Sequence, residues 1–232
     1  MRRAGRMTPA QQSALDTLWP KFGIDFENEL IIDLNAAFGR EAPCILEIGF
    51  GNGETLALQA AEHPEKNYLG VEVHEPGVGH LLMLIDKSGL DNVRVICHDA
   101  VEVLNEQIPD GSLSGVNLYF PDPWPKKRHH KRRLVQPEFV DLIARKVLPW
   151  GAVQLATDWK SYAEHMLEVM EASPDFDNVM EAGAYSPRPK DRPTTKFEKR
   201  GERLGHQVWD LIYVRSPKPA TAESKKLLGS PD

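Results

Sequence analysis

Apolar residues follow two different spacings along this chain, and the alternation between them predicts the order of its elements. Short apolar runs typical of buried strands lie at 44–49, 68–73, 93–99, 115–120 and 152–157. In the segments after them, apolar residues recur every three or four positions, which is typical of amphipathic helices. The predicted helices are 54–63, 75–88, 100–105, 136–148 and 162–171. Strands that alternate with helices in this way predict a doubly wound α/β fold on a mostly parallel sheet.

Both ends of the chain depart from this alternation. Two further apolar runs, 176–184 and 207–214, have no helical pattern between them, so we expect an antiparallel pair that closes the sheet. The polar segment that joins them is too long for a hairpin, and long ordered loops in compact domains tend to be functional. Residues 11–38 are predicted to form short helical pieces that cap the core. Residues 1–9 are predicted to be a mobile basic arm, and residues 216–232 a disordered tail.

Length and composition indicate one globular domain. The 232 residues suffice to bury a core, and we divide them into a capping segment at 1–38, one α/β domain at 39–215 and the tail. No apolar run approaches the length of a membrane span, and no hydrophobic region follows the basic N-terminus as in a secretory signal. Cys44 and Cys97 lack the spacing of a disulfide framework or a zinc site, so we expect a cytoplasmic protein without a metal.

A glycine-rich turn follows the first strand. Gly49, Gly51 and Gly53 precede a helix, an arrangement that brings backbone N–H groups and a helix N-terminus against a ligand. Glu72 ends the second strand, where an acid can accept hydrogen bonds from ribose hydroxyls. Glu47 lies just before the glycines, and its carboxylate would repel a pyrophosphate but attract an ammonium or sulfonium group. These residues favour S-adenosylmethionine over a dinucleotide. The alternative for Glu47 is a partly exposed strand residue with a surface partner.

Three aspartates follow the later strands. Asp99 ends the third strand and has two compatible interpretations, acceptance of a hydrogen bond from an adenine amino group or N-capping of the next helix. Asp122 follows the fourth strand between Pro121 and Pro123, which restrict the backbone, so its carboxylate should lie on a stiff turn. Asp158 follows the fifth strand. The carboxyl ends of parallel strands share one edge of a sheet, and we expect a ligand site there.

A dense basic run follows the proline-rich turn. Residues 126–133 carry six cations and no acid although the net charge of the chain is −6, and a second basic region lies at 188–203. Concentrated positive segments on an acidic body indicate one-faced binding of a polyanion such as a folded RNA. The alternative is a solvated charged surface. Trp124, between prolines, could stack on a base or pack as a wedge.

These stretches together resemble the bacterial tRNA (guanine-N7-)-methyltransferases, a family with the Rossmann-like class I methyltransferase fold. The similar blocks, within about Arg2 to Val214, are RRAGRMTPAQ, LEIGFGNGETL, GVEVHEPG, PDPWPKKRHHKRR, LATDWKSYAEHM and RPTTKFEKRGERLGHQVWDL. The glycine block is common to many methyltransferases, whereas PDPW with the basic run and the later TKFE are specific. The resemblance implies a mostly parallel seven-stranded sheet with helices on both faces. It also implies S-adenosylmethionine as the cofactor and tRNA as the substrate, methylated at guanine N7 in the variable loop.

The resemblance further implies roles for individual residues. Asp122 would hold the catalytic position, and the cofactor site would be lined by Glu47, Glu72, Asp99 and Asp122 beside the three glycines. The substrate would be bound by Lys126, Asp158, Thr195, Lys196, Phe197 and Glu198. The RNA would be contacted by Arg128, His129, His130, Lys131, Arg132 and Arg133. No metal or membrane is implied, and the sequence leaves both a monomer and a homodimer open.

The chemistry of guanine gives these carboxylates definite tasks. N7 carries a lone pair and no proton, so its attack on a methyl sulfonium needs in-line positioning and charge stabilisation rather than a general base. A fixed carboxylate at Asp122 would stabilise the cationic groups on both sides of the transfer. Asp158 and Glu198 could accept from N1–H and the exocyclic amine, an edge at which adenine presents a ring acceptor instead. The alternative for Glu198 is a salt bridge to a neighbouring cation.

Three other functions are consistent with parts of the pattern. An exocyclic-amine methyltransferase also has a proline-rich turn after its fourth strand, but there an acidic or amide residue, two prolines and an aromatic residue follow in direct succession. A non-catalytic RNA-binding subunit would keep the fold, and the retention of Glu47, Glu72 and Asp122 argues against it. A nicotinamide-dependent oxidoreductase is disfavoured because the G-x-G-x-x-G spacing is missing.

Overall fold

A seven-stranded sheet with the order β3-β2-β1-β4-β5-β7-β6 forms the centre of the computed structural model, which describes residues 7–190, 192–193, 198 and 207–217. The strands are β1 Cys44–Ile48, β2 Asn67–Val71, β3 Val93–Ile96, β4 Leu113–Tyr119, β5 Val147–Thr157, β6 Phe176–Asn178 and β7 Trp209–Arg215. Strands β1 to β5 pair in parallel, whereas β7 is antiparallel to both of its neighbours, β5 and β6. The predicted doubly wound sheet and its antiparallel closing pair are confirmed.

Helices cover both faces of this sheet. They are α1 Pro9–Phe22, α2 Leu34–Phe38, α3 Glu54–Glu62, α4 Glu75–Ser88, α5 Ala100–Glu106, α6 Pro137–Lys146 and α7 Lys160–Glu171. The apolar residues of α1, α3 and α4 pack with one face of the sheet, and those of α5, α6 and α7 pack with the other. Successive strand residues point to opposite faces of the sheet. Ile45 therefore packs on the side of α1, α3 and α4, and Leu46 packs on the side of α5, α6 and α7.

The N-terminal segment extends the domain at the β3 edge. Thr8 begins α1 with a capping box, in which its hydroxyl accepts from the Gln11 N–H and the Gln11 side chain accepts from the Thr8 N–H. A Cβ on Gly79 of α4 would lie only 2.7 Å from the Gln11 carbonyl oxygen, so the two helices touch through backbone. After α1, Gly23 forms a parallel bridge with Val95 of β3. Ala14 and Phe22 of α1 are buried in the core on this side of the sheet.

The boundaries of several predicted elements are wrong; the strand predicted for 152–157, for example, begins at Val147. The helix predicted for 136–148 ends at Lys146, because Val147 and Leu148 already belong to β5 and Val147 pairs with Leu113. The strand predicted for 93–99 ends at Ile96. The strand predicted for 176–184 stops at Asn178, and the next pairing to β7 is an isolated bridge from Ser186 to Asp210.

Three sequence predictions concern a membrane span, a metal site and the C-terminal tail. None of the helices in the described part of the chain is long and apolar enough to cross a membrane. Within the same residues, no group of three or more His, Cys, Asp or Glu side chains is arranged to hold a metal ion. The predicted tail lies outside the described residues after Pro217, so the division into 1–38, 39–215 and 216–232 stays a prediction.

Candidate active site

Strands β1 to β5 each bring an acidic residue toward the same edge of the sheet. In the spatial order β3, β2, β1, β4, β5 these are Asp99, Glu72, Glu47, Asp122 and Asp158. The strands that follow β1 add on one side of it as β2 and β3, and β4 and β5 then add on the other side, so the strand order reverses between β1 and β4. Ligands of open α/β sheets bind in the crevice at such a point. A row of carboxylates along this edge favours a cationic ligand.

The glycine loop after β1 presents backbone to the crevice. Gly49, Gly51 and Gly53 have φ angles of 69°, 60° and 74°, a region that side-chain-bearing residues rarely adopt. At Gly49 and Gly51 the space that a Cβ would occupy is open. A ligand can therefore approach the main chain closely there.

Helix α4 fixes the back of the same loop. A Cβ on Gly77 would lie 2.1 Å from the carbonyl oxygen of Gly51, and a Cβ on Gly53 would lie 2.7 Å from the Leu81 side chain. His80 Nδ1 is 2.7 Å from the Asn52 carbonyl oxygen. The loop is thus held between the start of α3 and the first turns of α4. The close contact requires a glycine in the loop, Gly53, and a glycine in the helix, Gly77.

Glu72 ties the loop to the end of β2. Its Oε2 accepts a hydrogen bond from the Gly51 N–H at 2.9 Å. Its Oε1 accepts from the N–H groups of Val73 and His74 at 2.7 and 3.0 Å. A carboxylate has about four acceptor positions, so Glu72 can order the glycine loop and still accept from a hydroxyl. Its predicted contact with a ribose stays a prediction.

Glu47 is the most unusual acid of the row. Its side chain is 3% exposed, and among the described residues its Oε2 has no hydrogen-bond partner. Burial raises the pKa of the Glu47 carboxyl to about 8, because a charged carboxylate is unfavourable away from water. The alternative that Glu47 is a partly exposed strand residue is therefore wrong. A buried acceptor without a partner fits a cationic group of a ligand.

The sequence analysis missed a hydrogen-bonded pair of polar residues, one of which lies beside Glu47 in the sheet. Asn117 of β4 is its direct neighbour in the sheet, and the Asn117 amide donates to Gln59 Oε1 of α3 at 3.2 Å. Both side chains are buried. An asparagine within the apolar run of β4 was a usable signal, because buried polar side chains need partners.

Asp99 caps helix α5. Its Oδ1 accepts from the N–H groups of Val101 and Glu102 at 2.9 and 3.3 Å. The N-cap interpretation is confirmed, and the contact with adenine stays a prediction. The two remain compatible because the carboxylate is exposed.

The turn that carries Asp122 is strained on both sides. Phe120 and Trp124, two residues before and after it, have φ angles of 51° and 43°. Such backbone conformations cost about 1–3 kcal/mol each for residues other than glycine and concentrate at functional sites. The Phe120 N–H donates to the Ala156 carbonyl oxygen of β5 at 2.8 Å. The exposed Asp122 side chain is thus held on a defined turn beside β5.

The basic run forms a 3-10 helix, Lys127–Arg132, directly after this turn. Its cations Lys127, Arg128, Lys131 and Arg132 are exposed, as is the predicted substrate-binding Lys126, and His129 and His130 are half-buried. Trp124 packs against the helix: its ring centroid is 5.9 Å from that of His129 and 5.1 Å from the Arg132 guanidinium. These contacts support the wedge interpretation of Trp124 and leave base stacking a prediction.

Arg133 departs from the predicted RNA-contacting set. The side chain is 3% exposed, in contrast to the cations before it. Its guanidinium donates to the Pro123 carbonyl oxygen and to the carbonyl and hydroxyl oxygens of Ser161. The prediction that Arg133 faces RNA is corrected by this burial, because a run of cations in the sequence does not show which of them turns inward.

Glu198 lies in a buried ion-pair network. Arg192 is 0% exposed, and its Nη1 and Nη2 donate to the two Glu198 oxygens at 2.8 and 2.9 Å. Nη2 also donates to Asp210 Oδ2 at 3.0 Å, and Nε lies 2.7 Å from Asp210 Oδ1 without hydrogen-bond geometry. The salt bridge left open for Glu198 is therefore present, and its contact with guanine stays a prediction. Thr195, Lys196 and Phe197 lie outside the described residues.

The remaining predicted substrate residue, Asp158, is half-buried at the end of β5. The next backbone N–H, of Trp159, donates to Thr157 Oγ1 at 3.2 Å and starts the turn into α7. The structure thus brings the acids, the glycine loop and the basic helix to one edge of the sheet. Arg192 and Asp210 were missed by the sequence analysis, since neither forms a local motif with Glu198.

Comparison with known proteins identifies the family. A family model described as a putative methyltransferase matches residues 41–211. A tRNA (guanine-N(7)-)-methyltransferase of Alkalilimnicola ehrlichii is 61% identical over 220 residues, covering 94% of this chain and 92% of that protein. The chain belongs to the tRNA (guanine-N(7)-)-methyltransferase family. Another family protein, from Psychromonas ingrahamii, is 58% identical over 215 residues, covering 93% and 88% of the two chains.

Solved structures agree with the class I methyltransferase fold of this family. The 16S rRNA methyltransferase KamB has a TM-score of 0.58 at 14% identity, with 82% of this chain and 100% of KamB covered. The aminoglycoside resistance methyltransferase NpmB1 has a TM-score of 0.53 at 15% identity, with 79% and 92% covered. At such low identity the two structures show the fold alone. The predicted family and fold class are confirmed.

Proposed function

We propose that this chain transfers the methyl group of S-adenosylmethionine to N7 of a guanine in tRNA, within the variable loop, and forms 7-methylguanosine. The observation that carries the proposal is the junction of three features at one sheet edge: the glycine loop with its acids, the strained Asp122 turn, and the exposed basic helix that follows that turn. The family relatives are named tRNA (guanine-N(7)-)-methyltransferases, which supports guanine N7 of tRNA as the target.

The residues of the first part fit the cofactor. S-adenosylmethionine has no phosphate but carries an ammonium and a sulfonium group. The open backbone at Gly49 and Gly51 allows a close approach, and the orphan oxygen of Glu47 offers an acceptor for a cation. Glu72 and Asp99 follow the next two strands, where hydroxyl and amino groups of a nucleoside would lie. When bound, the cofactor supplies the electrophilic methyl group.

Asp122 acts by position and charge. Because N7 of guanine has no proton to lose, a general base has no task in the transfer. The methylated ring becomes cationic while the sulfonium loses its charge, so a carboxylate fixed near the path stabilises positive charge throughout. Phe120 and Trp124, whose backbones have positive φ angles two residues before and after Asp122, fix the turn that carries it.

Asp158 and Glu198 select guanine by accepting from N1–H and the exocyclic amine. The Asp158 side chain is half-buried, so part of it remains accessible to a base. Glu198 is 3% exposed and holds Arg192 with both oxygens, so its contact with guanine requires at least one of these oxygens to be released from Arg192 or shared with it. The exposed cations of the basic helix hold RNA phosphates, which makes tRNA affinity fall with increasing salt.

The test is methyl transfer from labelled S-adenosylmethionine to unmodified tRNA, followed by digestion and identification of the modified nucleoside. The proposal predicts 7-methylguanosine, and another methylated nucleoside would overturn it. Asp122→Ala should lower turnover by about 100- to 1,000-fold, the usual effect of losing an electrostatic contact made in the transition state. Asp141→Ala, which changes an exposed acid in the middle of α6, is the matched control. Normal turnover of Asp122→Ala would refute its electrostatic role.

A further inference from the structure

Arg133 connects two turns of the active-site edge. Its Nε donates to the Pro123 carbonyl oxygen at 3.0 Å, immediately after Asp122. Its Nη1 donates to the Ser161 carbonyl oxygen at 3.0 Å, and its Nη2 donates to the Ser161 hydroxyl at 2.9 Å. Ser161 lies in the first turn of α7, three residues after Asp158. One side chain therefore spans from the end of β4 to the end of β5.

The Arg133 guanidinium is surrounded by an aromatic ring and by groups that are themselves held by hydrogen bonds. The guanidinium lies 4.8 Å from the ring centroid of Tyr162, which is fully buried. The Tyr162 hydroxyl accepts from the Val135 N–H at 3.2 Å, so the ring is held by the segment that follows Arg133. The Trp159 indole N–H also donates to the Ser161 hydroxyl, at 3.1 Å. Among the described residues, Arg133 forms no salt bridge, and its charge is stabilised by neutral oxygens and an aromatic ring.

We propose that Arg133 is a positioning residue for methyl transfer, which holds the Asp122 turn and the Asp158 turn at a fixed separation. This inference rests on the proposed function, in which Asp122 faces the methyl group and Asp158 faces the guanine edge. A clamp between the two turns sets the distance between the methyl donor and N7. Displacements of about 1 Å at such a site can cost about 100-fold in rate.

The planar fork of arginine is essential to this role. Three N–H groups in one plane reach three oxygens on two different elements, whereas a lysine ammonium is a single point on a flexible stem. Arg133→Lys therefore keeps the positive charge and loses the clamp. If Arg133 instead contacted an RNA phosphate, lysine would replace it with little loss.

Two measurements on the full chain separate the roles. The first is the single-turnover rate of methyl transfer at saturating tRNA and cofactor, and the second is the slope of log tRNA affinity against log salt. Arg133→Lys should lower the rate about 10- to 100-fold and leave the slope unchanged. The matched variant Arg128→Met, on the exposed side of the basic helix, should reduce the slope by about 0.7 to 0.9 per lost phosphate contact.

A milder variant guards against loss of folding. Ser161→Ala removes one acceptor of the clamp, and we expect it to lower the rate about 2- to 10-fold without a large change in melting temperature. Because both changes break the same contact, the double variant with Arg133→Lys should be no slower than Arg133→Lys alone by more than about twofold. Fully multiplicative effects would overturn the clamp.

Hydrogen exchange tests the clamp without any activity. In Arg133→Lys, the backbone amides of Asp122, Trp124 and Lys126 and those at 158–162 should exchange faster together, and in Arg128→Met they should not. Unchanged exchange at both turns, or a normal rate with a reduced salt slope, would overturn the inference. If the wild-type chain methylates no tRNA, the proposed function fails, and the exchange result still decides whether Arg133 joins the two turns.

Discussion

Cofactor binding to this protein is expected to depend on pH through Glu47. The free carboxyl is buried, its Oε2 has no hydrogen-bond partner among the described residues, and burial raises its pKa to about 8. At neutral pH the free protein therefore holds Glu47 mostly protonated. A cationic ligand that pairs with the carboxylate must first displace that proton, so its affinity rises with pH until Glu47 is ionised in the free protein.

The size of the effect follows from the fraction of binding-competent protein. With a pKa of about 8, the ionised fraction is about 0.01 at pH 6 and about 0.5 at pH 8. If only the ionised form binds, the dissociation constant for S-adenosylmethionine falls about 50-fold over this range, or about 2.3 kcal/mol. A protein in which Glu47 titrated near its ordinary value of 4.5 would show almost no change over the same range.

The assay is titration calorimetry of S-adenosylmethionine binding at several pH values in buffers of different ionisation enthalpy, which also counts the protons released. Glu47→Gln keeps the size of the side chain and removes its titration, so its profile reports any titration of the cofactor itself. Glu47→Gln should bind weakly with a nearly flat profile. A wild-type profile that is equally flat, with no proton release below pH 8, would refute the reasoning.

The same shift affects the stability of the free protein, with the opposite sign. The folded state holds the Glu47 proton more tightly than the unfolded chain, in which the pKa is about 4.5. This contribution to stability is fully present below pH 4.5 and is lost as the pH rises through about 8. Thermal melting of the free protein should therefore show that Glu47→Gln gains stability relative to wild type between pH 5 and pH 8.

Three further predictions concern single contacts. Gly53→Ala and Gly89→Ala both place a side chain at positive φ, which should lower the free energy of unfolding by about 1–2 kcal/mol. Gly53→Ala should lower it by about 1–3 kcal/mol more, because the new Cβ would lie 2.7 Å from Leu81, whereas the space at Gly89 is open. Chemical denaturation of the two variants measures the difference. Arg192→Met should lower the free energy of unfolding by about 3–5 kcal/mol in the same assay, because it leaves Glu198 and Asp210 without their buried cation. The control Arg188→Met changes a side chain that is 40% exposed and should lower it by about 1 kcal/mol or less. Asp99→Ser should keep the cap of α5 and the melting temperature but raise the KM for S-adenosylmethionine if the carboxylate binds adenine; an unchanged KM would leave Asp99 as a cap alone.

The sheet and the acids at its edge were predictable because their signals are local. An apolar run followed by a 3.6-residue period indicates a strand and then a helix, wherever the strand lies in the sheet. Asp99, Asp122 and Asp158 each follow such a run by a few residues, so the parallel topology brings them to one edge. The errors at Val147 and Asn178 fall where pairing with a distant strand decides the boundary.

The two buried arginines show where local signals end. In the sequence, Arg133 is the last of six cations in eight residues, and nothing in that pattern separates it from Arg128. Its inward turn depends on Ser161, 28 residues later, which reaches it only because β4 and β5 are neighbours. Arg192 likewise meets Asp210 through the strand β7. A run of cations in the sequence sets the largest number that can face a ligand. Tertiary contacts decide which of these cations are buried inside the fold instead. An RNA-binding surface inferred from composition alone therefore overcounts its contacts. The salt dependence of tRNA affinity, which counts only the cations that reach phosphates, is the measurement that corrects it.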